Sequence, residues 1–429
     1  MRKSKLWKRI HKEIEKIRVI DSHSHMTSEE NYYKQNLSIF NMVSYYGRDI
    51  QSTAGKAVGE LLHGAKADEE KWKRFSEVIL KTEAVSYFRH NLIAYQDLFG
   101  LKGDLTAKNW QELNATIAKK TKNPKWFRKV MKKICRVETG LLNVMPFDLR
   151  WDKDYAVAVM RMEPFLALLR GEKDNLAQLS REVDVDITTI GDLREALSKL
   201  MQKACSLGAV GIKLAHAYQR TLHHEKPSDR KADAVLQKLL QGKKPTPSEL
   251  KAIQDYVVFF LADRAGDLDL VFQIHTGVQG NWGHIPDSNP LHLLNLLRAF
   301  PKTRFDLFHA GYPFSREMGM LGKHYPNVWV NMCWMYVITM EGSRQTLDEW
   351  IDLVPGFRIL GFGSDVPYPE NVYAHLKMAR ACITDVLTKK VRQDFITEDV
   401  AIRLAKQMLR NNLIDLFKLD ERFGMKKAK

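Results

Sequence analysis

The 429-residue sequence predicts an α/β protein, a (β/α)8 barrel with a large helical insertion between its first and second strands. Three observations point there. Eight short β-like runs alternate with helix-compatible stretches, the pattern of parallel strands joined by crossover helices. One connection, residues 27 to 136, is far longer than an ordinary loop between a strand and its helix, and its sequence is helical in character. No glycine-rich phosphate loop follows the first run, which counts against the rival open, doubly wound sheet.

Taken in order, residues 1–18 (MRKSKLWKRIHKEIEKIR) set Leu6, Ile10, Ile14 and Ile17 at helical spacing. They predict a helix docked beside the first strand, not a secretory signal, because no apolar core region is present. Its apolar face is too narrow to favour a membrane-surface helix. Residues 19–420 carry the barrel. Strands are expected at 19–25 (VIDSHSH), 138–145, 155–162, 209–215, 269–275, 304–309, 327–333 and 358–365. The 27–136 insertion leaves from a strand's carboxyl end, so it should cap the barrel mouth. A smaller insertion after the fourth strand holds His223 and His224, read as exposed loop residues. Helices in VRQDFITEDVAIRLAKQMLRNNLIDLF close the barrel, and residues 421–429 form a basic tail. No repeat or low-complexity tract divides the chain, which reads as one domain with a cap.

Hydrophobic residues at 45% and charged residues at 28% are those of a globular protein, and no apolar run is long enough to span a bilayer. Cys135, Cys205, Cys333 and Cys382 stand far apart without a CxxC pair, as reduced thiols in a cytoplasmic protein do. A net charge of +16 suits nucleic acid, an acidic surface or anionic small substrates. The densest patch, KKTKNPKWFRKVMKK at 119–133, reads as the solvated face of an amphipathic helix, because no nucleic-acid motif accompanies it. The expected partner is therefore a small-molecule substrate, with neither nucleic acid nor a membrane. Self-association into a homo-oligomer is a further expectation, through no surface that the sequence marks.

Chemistry concentrates at strand ends. In VIDSHSHM, alternation puts His23 and His25 on one face with Asp21 behind them, Cα atoms about 6.5–7 Å apart, within reach of one ion. Taken alone the pair reads equally well as two polar residues at a strand end. Later strands end in Lys213 (VGIKLA), His275 (VFQIH), His309 (DLFH) and Asp365 (LGFGSD). Gly361 and Gly363 share the face of Asp365 and should leave room for an ion or substrate. Imidazoles and a carboxylate gathered at the mouth of one barrel suit Zn²⁺, Fe²⁺ or Mn²⁺.

HxH on strand 1, lysine on strand 4, histidines on strands 5 and 6 and aspartate on strand 8 resemble the amidohydrolase superfamily. SNPLHLLNLLRAFPKTRFDLFHAGYPFSREMGMLGKHYPNVWVNM and GFGSDVPYPENVYAHLKMAR look like its amidohydrolase-2 group, in particular the amidohydrolase-like domains fused to glutamine-synthetase-like proteins. AYQDLFG and TAKNWQELNATI in the insertion are similar to uronate isomerases of the same superfamily, whose strand 6 usually lacks the histidine that stands here as His309. The resemblance implies that His23, His25, His275 and Asp365 bind one divalent metal, zinc first and iron or manganese next. Lys213 and His309 are further candidate ligands, Lys213 as a carboxylated bridge if two metals bind.

The resemblance implies a hydrolase in which metal-activated water attacks an amide, ester or lactone of a small, carboxylated substrate. Asp365 would accept the water proton, and His309 would orient the nucleophile or stabilise the oxyanion. Asp21 would hold the first strand's histidines or backbone. Arg161, Tyr218, Arg220, Trp282 and Trp334, near the same strand ends, are candidate substrate contacts. Two alternatives stay open: a uronate isomerase or non-oxidative decarboxylase on the same metal site, and a non-catalytic metal-bearing scaffold with a basic binding surface.

Overall fold

Eight parallel strands follow one another in chain order around a single sheet. They are β1 (Val19–Ser24), β2 (Val137–Val144), β3 (Ala156–Arg161), β4 (Gly211–Leu214), β5 (Val271–Ile274), β6 (Arg304–Leu307), β7 (Val328–Asn331) and β8 (Ile359–Leu360). The computed structural model describes residues 4–64, 67–168, 173–280 and 283–428. Backbone bonds from Ser22 N–H to the Phe362 carbonyl (3.0 Å) and from Asp365 N–H to the His23 carbonyl (3.0 Å) join the segment after β8 to β1 and close the seam. All eight expected strands form, most of them shorter than expected. Beyond the ends of β6 and β8, His309, Ala310 and Asp365 take left-handed conformations (φ 62°, 51° and 55°). Strain of this kind gathers where side chains are aimed for function.

The strands are buried on both faces, as parallel strands wrapped by helices must be. At the amino-terminal end of the barrel, Ile20, Leu141, Val159, Val271 and Leu360 pack on Leu413, Ile414, Leu416 and Phe417 from the closing helices. Above them lies a polar layer. The Asp306 carboxylate accepts from Gln273 Nε2 (2.9 Å) and Asn331 Nδ2 (3.0 Å), while Ser22 Oγ donates to Asn331 Oδ1 (3.0 Å).

Outer helices carry ordinary stop and start signals. Thr189 and Thr246 form capping boxes with Asp192 and Glu249 ahead of helices Ile190–Leu207 and Pro247–Asp267. The amino-terminal helix spans Lys5–Lys16, capped by Ser4, and buries Trp7, Ile10 and Ile14. Trp7 Nε1 donates to Asp385 at 2.7 Å, tying it to helix Pro369–Arg392.

Between β1 and β2, helices including Asp68–Thr82, Ser86–Phe99 and Trp110–Thr121 build the cap. It is pinned by Glu370, a fully buried carboxylate whose Oε1 accepts from Tyr32 Oη and Trp126 Nε1, both at 2.6 Å. Trp126 and Phe127 of the basic patch are thus packed inward. At the other terminus, helix Leu419–Phe423 runs across the start of the expected tail. Arg410 Nη1 then donates to the Lys426 carbonyl (2.5 Å) and Asn411 Nδ2 to that of Ala428 (3.0 Å), so the segment folds back on the barrel.

Candidate metal centre

The carboxyl ends of the strands open into a cavity of about 340 Å³. His23, His25, Lys213, His275, His309 and Asp365 all line it, with Tyr45, Asn143, Arg161, Glu163, Tyr218 and Gln219. Residues spread over more than 340 positions therefore meet at the place the sequence pattern marks.

His23 Nε2 and His25 Nε2 each lie 3.1 Å from one oxygen, Oδ1 of Asp365. One donor atom from each residue falls within 4.8 Å of the others, a candidate metal-binding group, and His309, Cys333 and Asp365 form a second that shares the carboxylate. Asp21 sets the two segments against each other. Its Oδ1 accepts from His23 N–H (3.2 Å) and Ser364 N–H (2.7 Å), across the same seam that closes the barrel. Burial alone would raise the Asp365 carboxyl, but His23 and His25 outweigh it and hold it well below the usual range. Burial lowers His23 to about 3, leaving a neutral imidazole with a lone pair to offer.

His275 and His309 meet beside these groups, His309 as a member of one and His275 of neither. His275 Nε2 lies 2.8 Å from the Val278 carbonyl and His309 Nδ1 lies 3.1 Å from the Cys333 carbonyl. A carbonyl only accepts, so each of these nitrogens bears the proton. Burial keeps both rings neutral, lowering His275 to about 3 and His309 well below its ordinary value. His275 Nδ1 and His309 Nε2 are then both bare lone pairs, yet they face each other at 2.9 Å. Two facing lone pairs repel unless a cation sits with them, so the donor set fits a metal ion. The Val278 carbonyl is placed by a close crossing of loops. Gly277 has φ +68°, and a Cβ there would stand 2.4 Å from the Gly311 carbon and the Tyr312 oxygen.

Lys213 is buried on β4, with Nζ 3.2 Å from the Phe308 ring centroid and without a hydrogen-bond partner among the described residues. Burial lowers it to about 8. The glycines beneath Asp365 do not leave the expected room. A Cβ on Gly361 would strike Met408 Cβ at 2.7 Å, and one on Gly363 would strike Ser22 Oγ at 2.5 Å, so these glycines admit neighbours instead of a ligand.

Of the expected substrate contacts, Arg161 and Tyr218 line the cavity. Tyr218 Oη accepts from Gly280 N–H (3.1 Å), and its ring centroid lies 4.6 Å from that of His275. Arg220 is a correction. It turns away to donate to Asp255 Oδ1 (2.5 Å) and the Thr221 and His223 carbonyls, because a buried carboxylate outside the barrel competes for it. Trp334 is a second correction: it is buried behind the site, ring centroids 5.2 Å from His309 and 4.3 Å from Tyr45. Trp282 lies outside the described residues. His224, expected to be exposed, is fully buried, with Nδ1 3.1 Å from Asp255 and Nε2 3.1 Å from His216 Nε2. Tyr45 was not expected at all. It comes from the cap and its hydroxyl donates to the Asp365 carbonyl at 2.8 Å. Its stretch SYYGRD carries no spacing that marks a site.

An amidohydrolase family profile matches residues 189–398, and a glucuronate isomerase profile matches residues 2–284. Among curated relatives, a region of protein fluG from Emericella nidulans is 26% identical over 223 residues, 49% of this chain and 26% of that protein. The uronate isomerase of Caldanaerobacter subterraneus subsp. tengcongensis is 24% identical over 281 residues, 61% of this chain and 59% of the relative. The chain thus spans less than two-thirds of the length of either. The crystal structure of a uronate isomerase from Thermotoga maritima superposes with a TM-score of 0.81 at 16% identity, covering 96% of this chain and 97% of that one, a likeness of fold. With two-thirds of its length under one profile, the chain belongs to the glucuronate isomerase family of the amidohydrolase superfamily.

Proposed function

We propose that this protein is a metal-dependent sugar-acid isomerase, interconverting the aldehyde and ketone forms of a hexuronate such as glucuronate. The observation that carries this reading is one cavity pairing a donor group for a divalent cation with the guanidinium of Arg161, in a chain whose first two-thirds match the isomerase profile. His23, His25, His275 and Asp365 would hold one ion, zinc by donor type, with iron or manganese as alternatives and His309 and Lys213 at its edge. When bound, the metal supplies Lewis acidity to a substrate carbonyl and its neighbouring hydroxyl. Arg161 is suited to grip the substrate carboxylate through paired N–H donors. Tyr218 accepts from Gly280, which leaves its own O–H for a sugar oxygen. His309 orients oxygens beside His275. Four unpaired cysteines favour a reducing, cytoplasmic setting.

A second reading has its own support: the amidohydrolase profile covers the residues that supply Lys213, His275, His309 and Asp365. Under it the substrate is an amide, ester or lactone and Asp365 accepts the proton of the attacking water. Zinc-loaded protein incubated with glucuronate and galacturonate, followed by proton NMR, tests the choice. Ketose signals are expected. Inert uronates together with hydrolysis of lactones or N-acyl amino acids would replace the isomerase with the hydrolase.

A further inference from the structure

Moving a carbonyl along a sugar acid needs a base that takes a proton from one carbon and returns it to the next, so this inference rests on the isomerase reading. Among the described residues lining the cavity, two carry carboxylates, Asp365 and Glu163. Asp365 is already engaged by two imidazole nitrogens, 3.1 Å from its Oδ1, as the anionic member of the candidate metal group. Glu163 differs. It opens the short helix Glu163–Leu168 directly after β3 and is 9% exposed. Its Oε2 meets Arg161 Nε at 3.4 Å, while its Oε1 is buried with no hydrogen-bond partner among the described residues. Lys213 Nζ is likewise buried and without a hydrogen bond on the same cavity wall. Unsatisfied buried polar atoms are costly, and a pair of opposite sign lining one cavity is completed most simply by a polar substrate between them.

We propose that Glu163 is the catalytic base of the isomerisation, with Arg161 as its positioning residue and Lys213 as the cation that meets the developing enediolate. Glu163 Oε1 removes the hydrogen of the carbinol carbon beside the aldehyde as a proton; the freed electron pair forms the carbon–carbon double bond of an enediolate, and the carbonyl π pair moves onto the former aldehyde oxygen. The hydroxyl proton of the second carbon passes to the former aldehyde oxygen; the oxygen it leaves re-forms a carbonyl as the double-bond pair takes the proton that Glu163 delivers to the first carbon. One C–H bond breaks and one forms; the first carbon is reduced and the second oxidised by the same electron pair, so no outside oxidant enters.

The test compares wild type, Glu163→Gln and Glu163→Asp as metal-loaded full chains. Glu163→Gln should lower kcat on glucuronate at least about a thousandfold, with metal content and melting temperature unchanged and KM within about threefold, and Glu163→Asp should recover part of the rate. An epoxide analogue of the sugar acid, mapped by mass spectrometry, should esterify Glu163 in wild type. If wild type isomerises uronates and Glu163→Gln stays within tenfold of it, Glu163 is not the base and the isomerase reading survives. If wild type leaves uronates untouched but the epoxide still labels Glu163, the isomerase reading falls while the reactive carboxylate stands. Inert uronates with label elsewhere, or no label, overturn both.

Discussion

His309 Nε2 stands 2.9 Å from His275 Nδ1, and two backbone carbonyls hold the opposite nitrogen of each ring. The lone pairs are thereby aimed at each other, an arrangement that a bound cation would relieve. Removing metal with a chelator should lower the melting temperature by a few degrees, and one equivalent of zinc should restore it, since ligand at a thousandfold above its Kd adds about 4 kcal/mol. Elemental analysis should find about one ion per chain. A count near two would instead point to a carboxylated Lys213 bridging a pair.

Gly277→Ala tests how the loops aim those rings. The added Cβ would lie 2.4 Å from main-chain atoms of Gly311 and Tyr312, at φ +68°, so backbone must move. Denaturant unfolding should show a loss of roughly 2–4 kcal/mol. Because Val278 supplies the carbonyl that fixes His275, metal affinity should fall with it.

Arg220 separates a structural guanidinium from a substrate contact. Asp255 accepts from Arg220, His224 Nδ1 (3.1 Å) and Lys251 Nζ (2.6 Å), and both the Arg220 and Asp255 side chains are less than a tenth exposed. Removing Arg220 deletes a charged hydrogen bond but leaves Asp255 paired with Lys251, so Arg220→Ala should cost about 1.5–3 kcal/mol in chemical denaturation. KM for the sugar acid should stay within about twofold, whereas Arg161→Ala should raise it at least tenfold.

What the sequence conveys here follows from distance along the chain. The eight strands and the residues at their ends were legible because each rests on a run of a few apolar positions and a known hand of connection. Arg220 and His224 were not, because their partner Asp255 sits more than thirty positions on, in helix Pro247–Asp267. Gly361 misled for the same reason: the space above it belongs to Met408, from the helices that close the barrel. Nothing in the sequence around Glu163 marks that one of its oxygens is left unpaired among the described residues.

His90 gives a pH-dependent link between cap and barrel. Its Nε2 donates to the Asn371 carbonyl at 2.8 Å, and burial lowers it to about 4. The unfolded chain takes up this proton near 6.5 while the native state refuses it, so stability from a neutral His90 is full above 6.5 and drains as pH falls toward 4. Urea midpoints of wild type and His90→Gln should therefore converge across that window. The wild-type advantage should shrink by about 3 kcal/mol.

Tyr45 tests whether the cap takes part in the chemistry. It is a cap residue at the cavity whose hydroxyl reaches the barrel carbonyl of Asp365, and its ring lies against Trp334 at 4.3 Å, so its position is held from two sides. Tyr45→Phe keeps the ring and deletes one hydrogen bond of ordinary strength, about 1 kcal/mol. The Asp365 backbone is at φ +55°, and losing that donor frees it to relax toward a commoner conformation. Turnover should then fall about fivefold to tenfold with little change in melting temperature, read by steady-state kinetics beside a thermal unfolding curve. A variant as fast as wild type would mean that the cap only covers the site and leaves the aspartate alone.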